Sequence, residues 1–293
     1  MTSLSETIAS DAPAIAHFDV RGVRFSIDVA DMPHPPMQNP YFRRSQLGHL
    51  YEPTMTFCLA QILSKEPDAV FLDVGSRMGY YASFAAACLG DGSRVHAVEA
   101  DPAYAVRTAR SCAATGYPEA SVYGVILSDS EETVAVDGHR GVVYDEPSAG
   151  STTAVTTDAL CARHGFAPTV VKVDVHGCEG KVLMGMETVL RDHVRYLLLE
   201  LHDAFRLEQY SPGISRSQIL RFLEELGFSL FHVAAEVVPY PFVRDEGFTY
   251  RLLTSDAWPD VFFDRGGVVF VLASKTPDIA SVIGPSVDDP RFF

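Results

Sequence analysis

The stretch Phe71-Leu72-Asp73-Val74-Gly75-Ser76-Arg77-Met78-Gly79-Tyr80-Tyr81 constrains this chain more than any other. Residues 69–72 form an apolar run of strand length, and Gly75 and Gly79 let the backbone turn tightly. From Tyr80 the apolar residues follow a helical period: Tyr81, Phe84, Ala85, Cys88 and Leu89. Strand, glycine loop and helix open a nucleotide-binding α/β unit. The free N–H groups and positive dipole end of the helix suit an anionic ligand group.

The loop also narrows the ligand. A dinucleotide loop needs G-x-G-x-x-G, and counting from Gly75 its second and third glycines fall on Arg77 and Tyr80. Asp73 would bring a carboxylate close to the pyrophosphate, and no Gly-Lys-Ser/Thr follows to make a P-loop. A cationic ligand without phosphate fits better. S-adenosyl-L-methionine carries a sulfonium, an ammonium and one carboxylate. Asp73 would help neutralise the first two, and the helix start at Tyr80 would receive the third.

Strands and helices alternate over residues 66–274, the pattern of a doubly wound, mostly parallel sheet with helices on both faces. Strands are expected at 94–99, 122–127, 169–175, 195–201, 228–233 and 267–274. Asp101 should cap a helix with Pro102 in its first position, and Thr157 or Asp158 another. Helices are also expected at 53–63 and 179–189, and Ser215-x-x-Gln218 is a capping-box signature for one ending at Gly227. Residues 133–136 and 141–145 read as a hairpin, as do 18–29 about Arg21-Gly22. The division is 1–50 as an N-terminal extension with a β-hairpin and a Pro-rich loop, 51–275 as the catalytic domain, and 276–293 as a tail. The Pro-rich stretch 32–44 reads as irregular and, with 240–260, as a cover that sets acceptor choice.

In such a sheet, ligands lie beyond the C-terminal strand ends. Asp73, Glu99, Asp129, Asp174 and Glu200 all end or follow expected strands, a clustering of like charge that stability alone does not explain. Glu99, twenty residues past Gly79, is placed to accept both ribose hydroxyls. Asp129 either accepts from an adenine amino group or starts the turn 128–132.

The 293 residues carry 23 basic and 38 acidic side chains, a net charge of −15, which argues against nucleic acid or an anionic membrane as partner. No apolar run is long enough to cross a bilayer, and residues 1–11 lack the features of a secretory signal. Cys58, Cys88, Cys112, Cys161 and Cys178 are odd in number and without CxxC spacing, which fits free thiols in a reducing cytoplasm.

Taken in order, several segments resemble the FkbM-type S-adenosylmethionine-dependent methyltransferases. They are Gly48-x-x-Tyr51-Glu-Pro53, the 71–81 loop, Glu99 with Asp101-Pro102, and Thr157-Asp-Ala-Leu160. Lys172-Val-Asp-Val-His-Gly-Cys-Glu179 with Val182-Leu-x-Gly185, and Glu200-x-His202, complete the set. The resemblance spans about residues 50–275 and implies a class I methyltransferase sheet of seven strands, the last antiparallel. It implies O-methylation of a small molecule or sugar, with the cofactor on Asp73, Gly75, Gly79 and Glu99. Tyr80 and Asp129 join that set by position. Two residues depart from the family pattern, Arg77 where Asn is usual and His176 where Glu is usual.

A hydroxyl acceptor must lose its proton, and His202, Asp174 and His176 stand near the strand ends as candidate catalytic groups. Asp174, Glu200 and His202 offer a metal-assisted alternative, although no metal is assigned. A nicotinamide-dependent oxidoreductase would use Glu99 equally well, and a binding protein without turnover is the third reading. The tail either frays or docks on a partner subunit, so a homo-oligomer stays open.

Overall fold

The computed structural model describes residues 15–30, 40–137, 141–143, 151–233, 250–255, 258, 267–276 and 278–284. Its centre is an eight-stranded sheet. The parallel strands are β3 (Phe71–Val74), β4 (Val95–Val98), β5 (Ser121–Tyr123), β10 (Val170–Val173) and β11 (Tyr196–Leu201). Beside β11 runs the antiparallel β14 (Val269–Ser274), followed by β12 (Ser229–Val233) and β13 (Tyr250–Leu252). The order across the sheet is β13-β12-β14-β11-β10-β3-β4-β5. The expected count of seven is thus exceeded by one. The extra strand, β13, pairs with the outer edge of β12, and Tyr250 packs its ring edge-on to Phe231 at 6.0 Å.

The helices lie on both faces, and the two-residue period of the strands divides the core between them. Phe71, Val170, Tyr196 and Leu198 face α2 (Pro53–Lys65) and α3 (Tyr80–Leu89). Leu72, Val74, Val171, Val173, Leu197 and Leu199 face the cluster built on α5 (Thr157–His164), α6 (Glu179–Met184), α7 (Glu187–Asp192) and α9 (Arg216–Glu225). Asp73, Lys172 and Glu200 have the parity of the first set, so their charges are buried on the α3 face.

The N-terminal hairpin, β1 (Ile15–Val20) and β2 (Val23–Asp28), turns at Arg21-Gly22, where both φ are positive. It shares the α2–α3 core: Phe25 stacks on Phe18 at 5.2 Å and meets Tyr80 edge-on at 5.0 Å. The β2 N–H groups of Ser26 and Asp28 donate to the hydroxyls of Thr115 and Ser111 on α4 (Pro102–Thr115), so this strand edge is covered.

Four local expectations are corrected. Pro40–Gln46 is a helix, α1, with Pro40 in its first position, whereas residues 32–44 were expected to be irregular; 31–39 lie outside the described residues. The strand expected at 122–127 breaks at Gly124. Its second part, β6 (Ile126–Leu127), leaves for a four-stranded sheet of order β6-β9-β7-β8, with β7 Glu132–Asp137, β8 Gly141–Val143 and β9 Ser151–Val155. There Ile126 packs with Val134 and Ala154 in a small core of its own. The cap of α5 is Thr156, whose hydroxyl accepts from Ala159 N–H; Asp158 instead accepts from Thr188 and Val189 at the start of α7. The helix expected over 179–189 is broken at Gly185-Met186. A Cβ on Gly185 would stand 1.9 Å from the Ser128 carbonyl oxygen. Of the second cover, 240–260, most lies outside the described residues.

Candidate active site

The β3–α3 loop folds as its glycines require. Gly75 (φ +82°) lies against the end of β10, where a Cβ would fall 1.9 Å from the Asp174 carbonyl oxygen. The N–H groups of Gly75 and Ser76 donate to Val98 O at 2.9 and 3.1 Å. Behind the loop, α4 hydroxyls hold its carbonyls, Thr108 bonding Arg77 O at 3.0 Å and Ser111 bonding Met78 O at 2.7 Å. Gly79 (φ +76°) packs on Thr108 and starts α3.

Glu99 closes this corner. Its Oε2 accepts from Arg77 N–H at 2.7 Å and its Oε1 from Asp101 N–H at 3.0 Å. A carboxylate has about four lone-pair sites, so acceptor capacity remains on each oxygen. Burial raises its pKa, against the pull of the two backbone donors. Asp101, beside it, caps α4 through Ala103 N–H at 2.7 Å. Arg77 is exposed and lays its guanidinium over Tyr104 at 5.9 Å.

A cleft of about 650 Å³ runs from Glu99 and Tyr104 past Val98, Ile126 and Leu127 to Lys172, Asp174 and His176. That size is within the usual range of small-molecule sites. Tyr41, Tyr51 and Tyr80 form one wall, with ring centroids 4.8 to 6.1 Å apart. Phe205, 78% exposed on α8 (Ala204–Tyr210), stands on the opposite rim.

The far end of the cleft is a knot of charge. Lys172 is buried, with Nζ 3.3 Å from Asp174 Oδ2 and 4.7 Å from the centre of the Tyr81 ring. Tyr81 donates its hydroxyl to Glu52 at 2.7 Å. Asp174 also shares a hydrogen bond with Glu200. Burial, and then the Asp174 charge, push the Glu200 pKa up to about 9, so Glu200 carries the proton of that bond at neutral pH. The buried oxygens Asp174 Oδ1 and Glu200 Oε2 have no other hydrogen-bond partner among the described residues. Burial opposes ionisation of Asp174, but Lys172 and the two neighbouring histidines outweigh it and hold its pKa below the usual range. Burial lowers the pKa of His176. His202 is buried, with Nδ1 2.9 Å from Glu179 Oε1, and its ring lies edge-on to that of His176 at 5.1 Å.

Among the described residues, the non-glycine positions with positive φ are Arg21, in the hairpin turn, and Glu52, Arg77 and His176, at or beside the cleft. Left-handed backbone costs a non-glycine residue free energy and is concentrated at functional sites.

Of the expected cofactor residues, Gly75, Tyr80 and Glu99 line the cleft. Asp73 lies beneath it, accepting from Ala82 N–H at 3.0 Å. Burial pushes its pKa up to about 7, with Lys172 pulling the other way. Gly79 shapes the loop from behind, and Asp129 is exposed beside Ser128 and Ser130. Of the expected catalytic residues, Asp174 and His176 line the cleft and His202 stands behind them. Glu52, Lys172, Glu179 and Phe205 were missed. Glu52 and Glu179 stand inside the motifs of the resemblance, and Lys172 is a charge inside the run Val-Val-Lys-Val-Asp-Val, two residues from Asp174 and therefore on its face.

A doubly wound sheet of this order, with one antiparallel strand inserted next to β11 and a cleft over the parallel strand ends, is the arrangement of the class I methyltransferase fold. The residues fit that cofactor: Glu99 retains acceptor capacity for hydroxyls, and apolar Val98, Ile126 and Leu127 offer a slot for a base. The chain belongs to the FkbM methyltransferase family, whose domain profile matches residues 73–230, more than half of its length. S-adenosyl-L-methionine is therefore its cofactor.

Several solved structures are similar to the chain at low identity. The methyltransferase FkbM of Methylobacillus flagellatus KT is 15% identical over 70% of this chain and 44% of that one, with a TM-score of 0.44. A SAM-dependent O-methyltransferase from Thermotoga maritima is 15% identical over 78% of this chain and 66% of that one, with a TM-score of 0.43. TYW2 of M. jannaschii, in complex with AdoMet, is 10% identical over 90% of this chain and 86% of that one, with a TM-score of 0.39. No curated protein matches the chain. Among the described residues no helix is long and apolar enough to cross a membrane.

Proposed function

We propose that the protein methylates a hydroxyl oxygen of a small molecule or sugar. One observation carries this reading: the cleft ends in proton acceptors, Asp174 and His176 with His202 behind them, at the end away from Glu99. Methylation of an oxygen requires removal of its proton, which such groups supply.

The bound cofactor supplies an electrophilic methyl group. The chain supplies placement and proton transfer. Glu99 and the Gly75 loop orient the nucleoside end, and the tyrosine wall screens the cleft from water on one side. Asp174 and His176, with His202 behind them, would take up the proton that the acceptor hydroxyl must lose on methylation. The partners in this reading are a small hydroxylated acceptor and neither nucleic acid nor membrane.

The test supplies methyl-labelled cofactor with pools of hydroxylated small molecules and glycosides, and locates the label by mass spectrometry. Label in O-methyl ethers is expected. Label on nitrogen, carbon or sulfur alone would overturn the choice of atom. Cofactor binding without labelled product would leave a binding protein.

A further inference from the structure

We propose that Asp174, His176 and His202 form a binding site for a divalent transition-metal cation at the acceptor end of the cleft. One ligand atom from each residue lies within 4.8 Å of the other two. Bonds of ~2.0–2.2 Å from nitrogen and carboxylate oxygen to such a cation place two ligand atoms at most ~4.4 Å apart, so these side chains would close in on a bound ion. Two imidazoles and one carboxylate with open positions are a donor set suited to Mn²⁺, Fe²⁺, Co²⁺ or Zn²⁺ rather than to Mg²⁺ or Ca²⁺.

The surroundings of His202 support this independently. Glu179 is fully buried, and its Oε1 accepts from Gly177 N–H at 3.0 Å, from Val175 N–H at 3.3 Å and from His202 Nδ1 at 2.9 Å. A carboxylate there fixes the proton on Nδ1 and leaves the Nε2 lone pair as ligand, the arrangement that orients metal-binding histidines.

Glu52, Asp174 and Glu200 also converge within 4.8 Å, but there the Lys172 ammonium already stands 3.3 Å from Asp174. The ligand set therefore differs from the one read in the sequence. Glu200 hydrogen-bonds Asp174, and His176 takes its place as ligand. His176 is exposed to the cleft, so the open positions of the cation would face the acceptor. There the cation would bind the hydroxyl and make it more acidic, and the proton would leave to water through the open cleft because Asp174 and both imidazoles are then engaged as ligands, a role that rests on the O-methylation reading.

The binding test needs no turnover. Protein freed of metal with a chelator is titrated with Co²⁺ alone, and the visible ligand-field absorption is followed. Saturation at one Co²⁺ per chain is expected. His202→Ala and Asp174→Asn should weaken binding at least ~10-fold, and Glu179→Gln ~10–100-fold. Calorimetry with S-adenosylhomocysteine should give unchanged affinity in each variant, which shows that the fold persists. Absence of Co²⁺ binding in the wild type, or equal binding in His176→Ala/His202→Ala, would overturn the site. O-methyl transfer that survives exhaustive chelation would overturn its role and leave the proposed reaction standing. Cobalt bound at one per chain without transfer to any hydroxyl would leave the site standing and overturn the reaction.

Discussion

The two ends of the cleft are made of different materials. At the end beside the β3–α3 loop the cleft-lining carboxylate, Glu99, takes a backbone N–H on each oxygen, and the loop is shaped by glycines and by hydroxyls of α4. At the acceptor end Lys172, Asp174, Glu200 and Glu52 are held mainly by one another, and Glu200 retains a proton that water would remove. Changing a side chain bonded only to backbone loses that one bond, whereas changing one of several coupled charges leaves its partners uncompensated. Substitutions at the first end should therefore cost affinity, and those at the second should cost stability and chemistry together.

The sharpest way to break this contrast is Lys172→Met. Removing one member of a buried ion pair leaves the other uncompensated, and a loss of about 3–5 kcal/mol is expected in denaturant unfolding. A change under about 1 kcal/mol would mean that the acceptor end is as well solvated as the cofactor end. Gly75→Ala tests the seam between them. The added methyl would stand 1.9 Å from the Asp174 carbonyl oxygen at a φ of +82°, so the loop or β10 must move. Overpacking and left-handed strain together should cost ~3 kcal/mol, read from the shift in unfolding midpoint.

Asp73 gives the pH dependence. Its folded pKa of about 7 lies above the 3.8 of a free aspartate, so folding takes up a proton between about pH 4 and 7. The stability this confers is complete below about pH 4 and is lost as pH rises through 7. Asn at this position keeps an acceptor for Ala82 N–H and does not titrate. Between pH 5 and 8 the wild type should lose about 2 kcal/mol relative to Asp73→Asn. Parallel stability curves for the two proteins would show that Asp73 is ionised throughout. The smallest effect belongs to Glu99→Gln, which should weaken S-adenosylhomocysteine binding about tenfold by calorimetry, ~1–2 kcal/mol, while the unfolding midpoint holds. Equal affinity would place the ribose elsewhere.

The same contrast explains what the sequence disclosed. The turn of the β3–α3 loop and the start of α4 were legible because their requirements are local: the positive φ at Gly75 and Gly79 favours glycine, and a helix start favours a cap such as Asp101. Strand-end position identified the carboxylates, but not where each one turned. Asp73 bonds back to α3, Asp129 faces solvent, and Asp174 and Glu200 meet each other. These outcomes depend on neighbours distant in sequence, such as Lys172 and Tyr81. Glu179 reads as the acidic first residue of a helix, and its bond to His202 exists only once β10 and β11 are paired. The cap at Thr156 rather than at Thr157 or Asp158 shows the same limit at short range, since Asp158 is drawn away by α7.

The place of β14 bears on how the molecule is made. It lies between β11 and β12, yet follows both in the chain. During synthesis from the N-terminus, β11 and β12 are complete before the strand that joins them exists. Until residues 269–274 emerge, β11 offers an apolar edge, Tyr-Leu-Leu-Leu-Glu-Leu, to any strand that passes. A late strand inserted between two earlier ones makes sheet closure a long-range event, and such pairing is slow and exposed to aggregation. The vulnerable moment of this protein is therefore the interval before β14 arrives, when the cofactor loop is already translated and the sheet beside the acceptor end is still open.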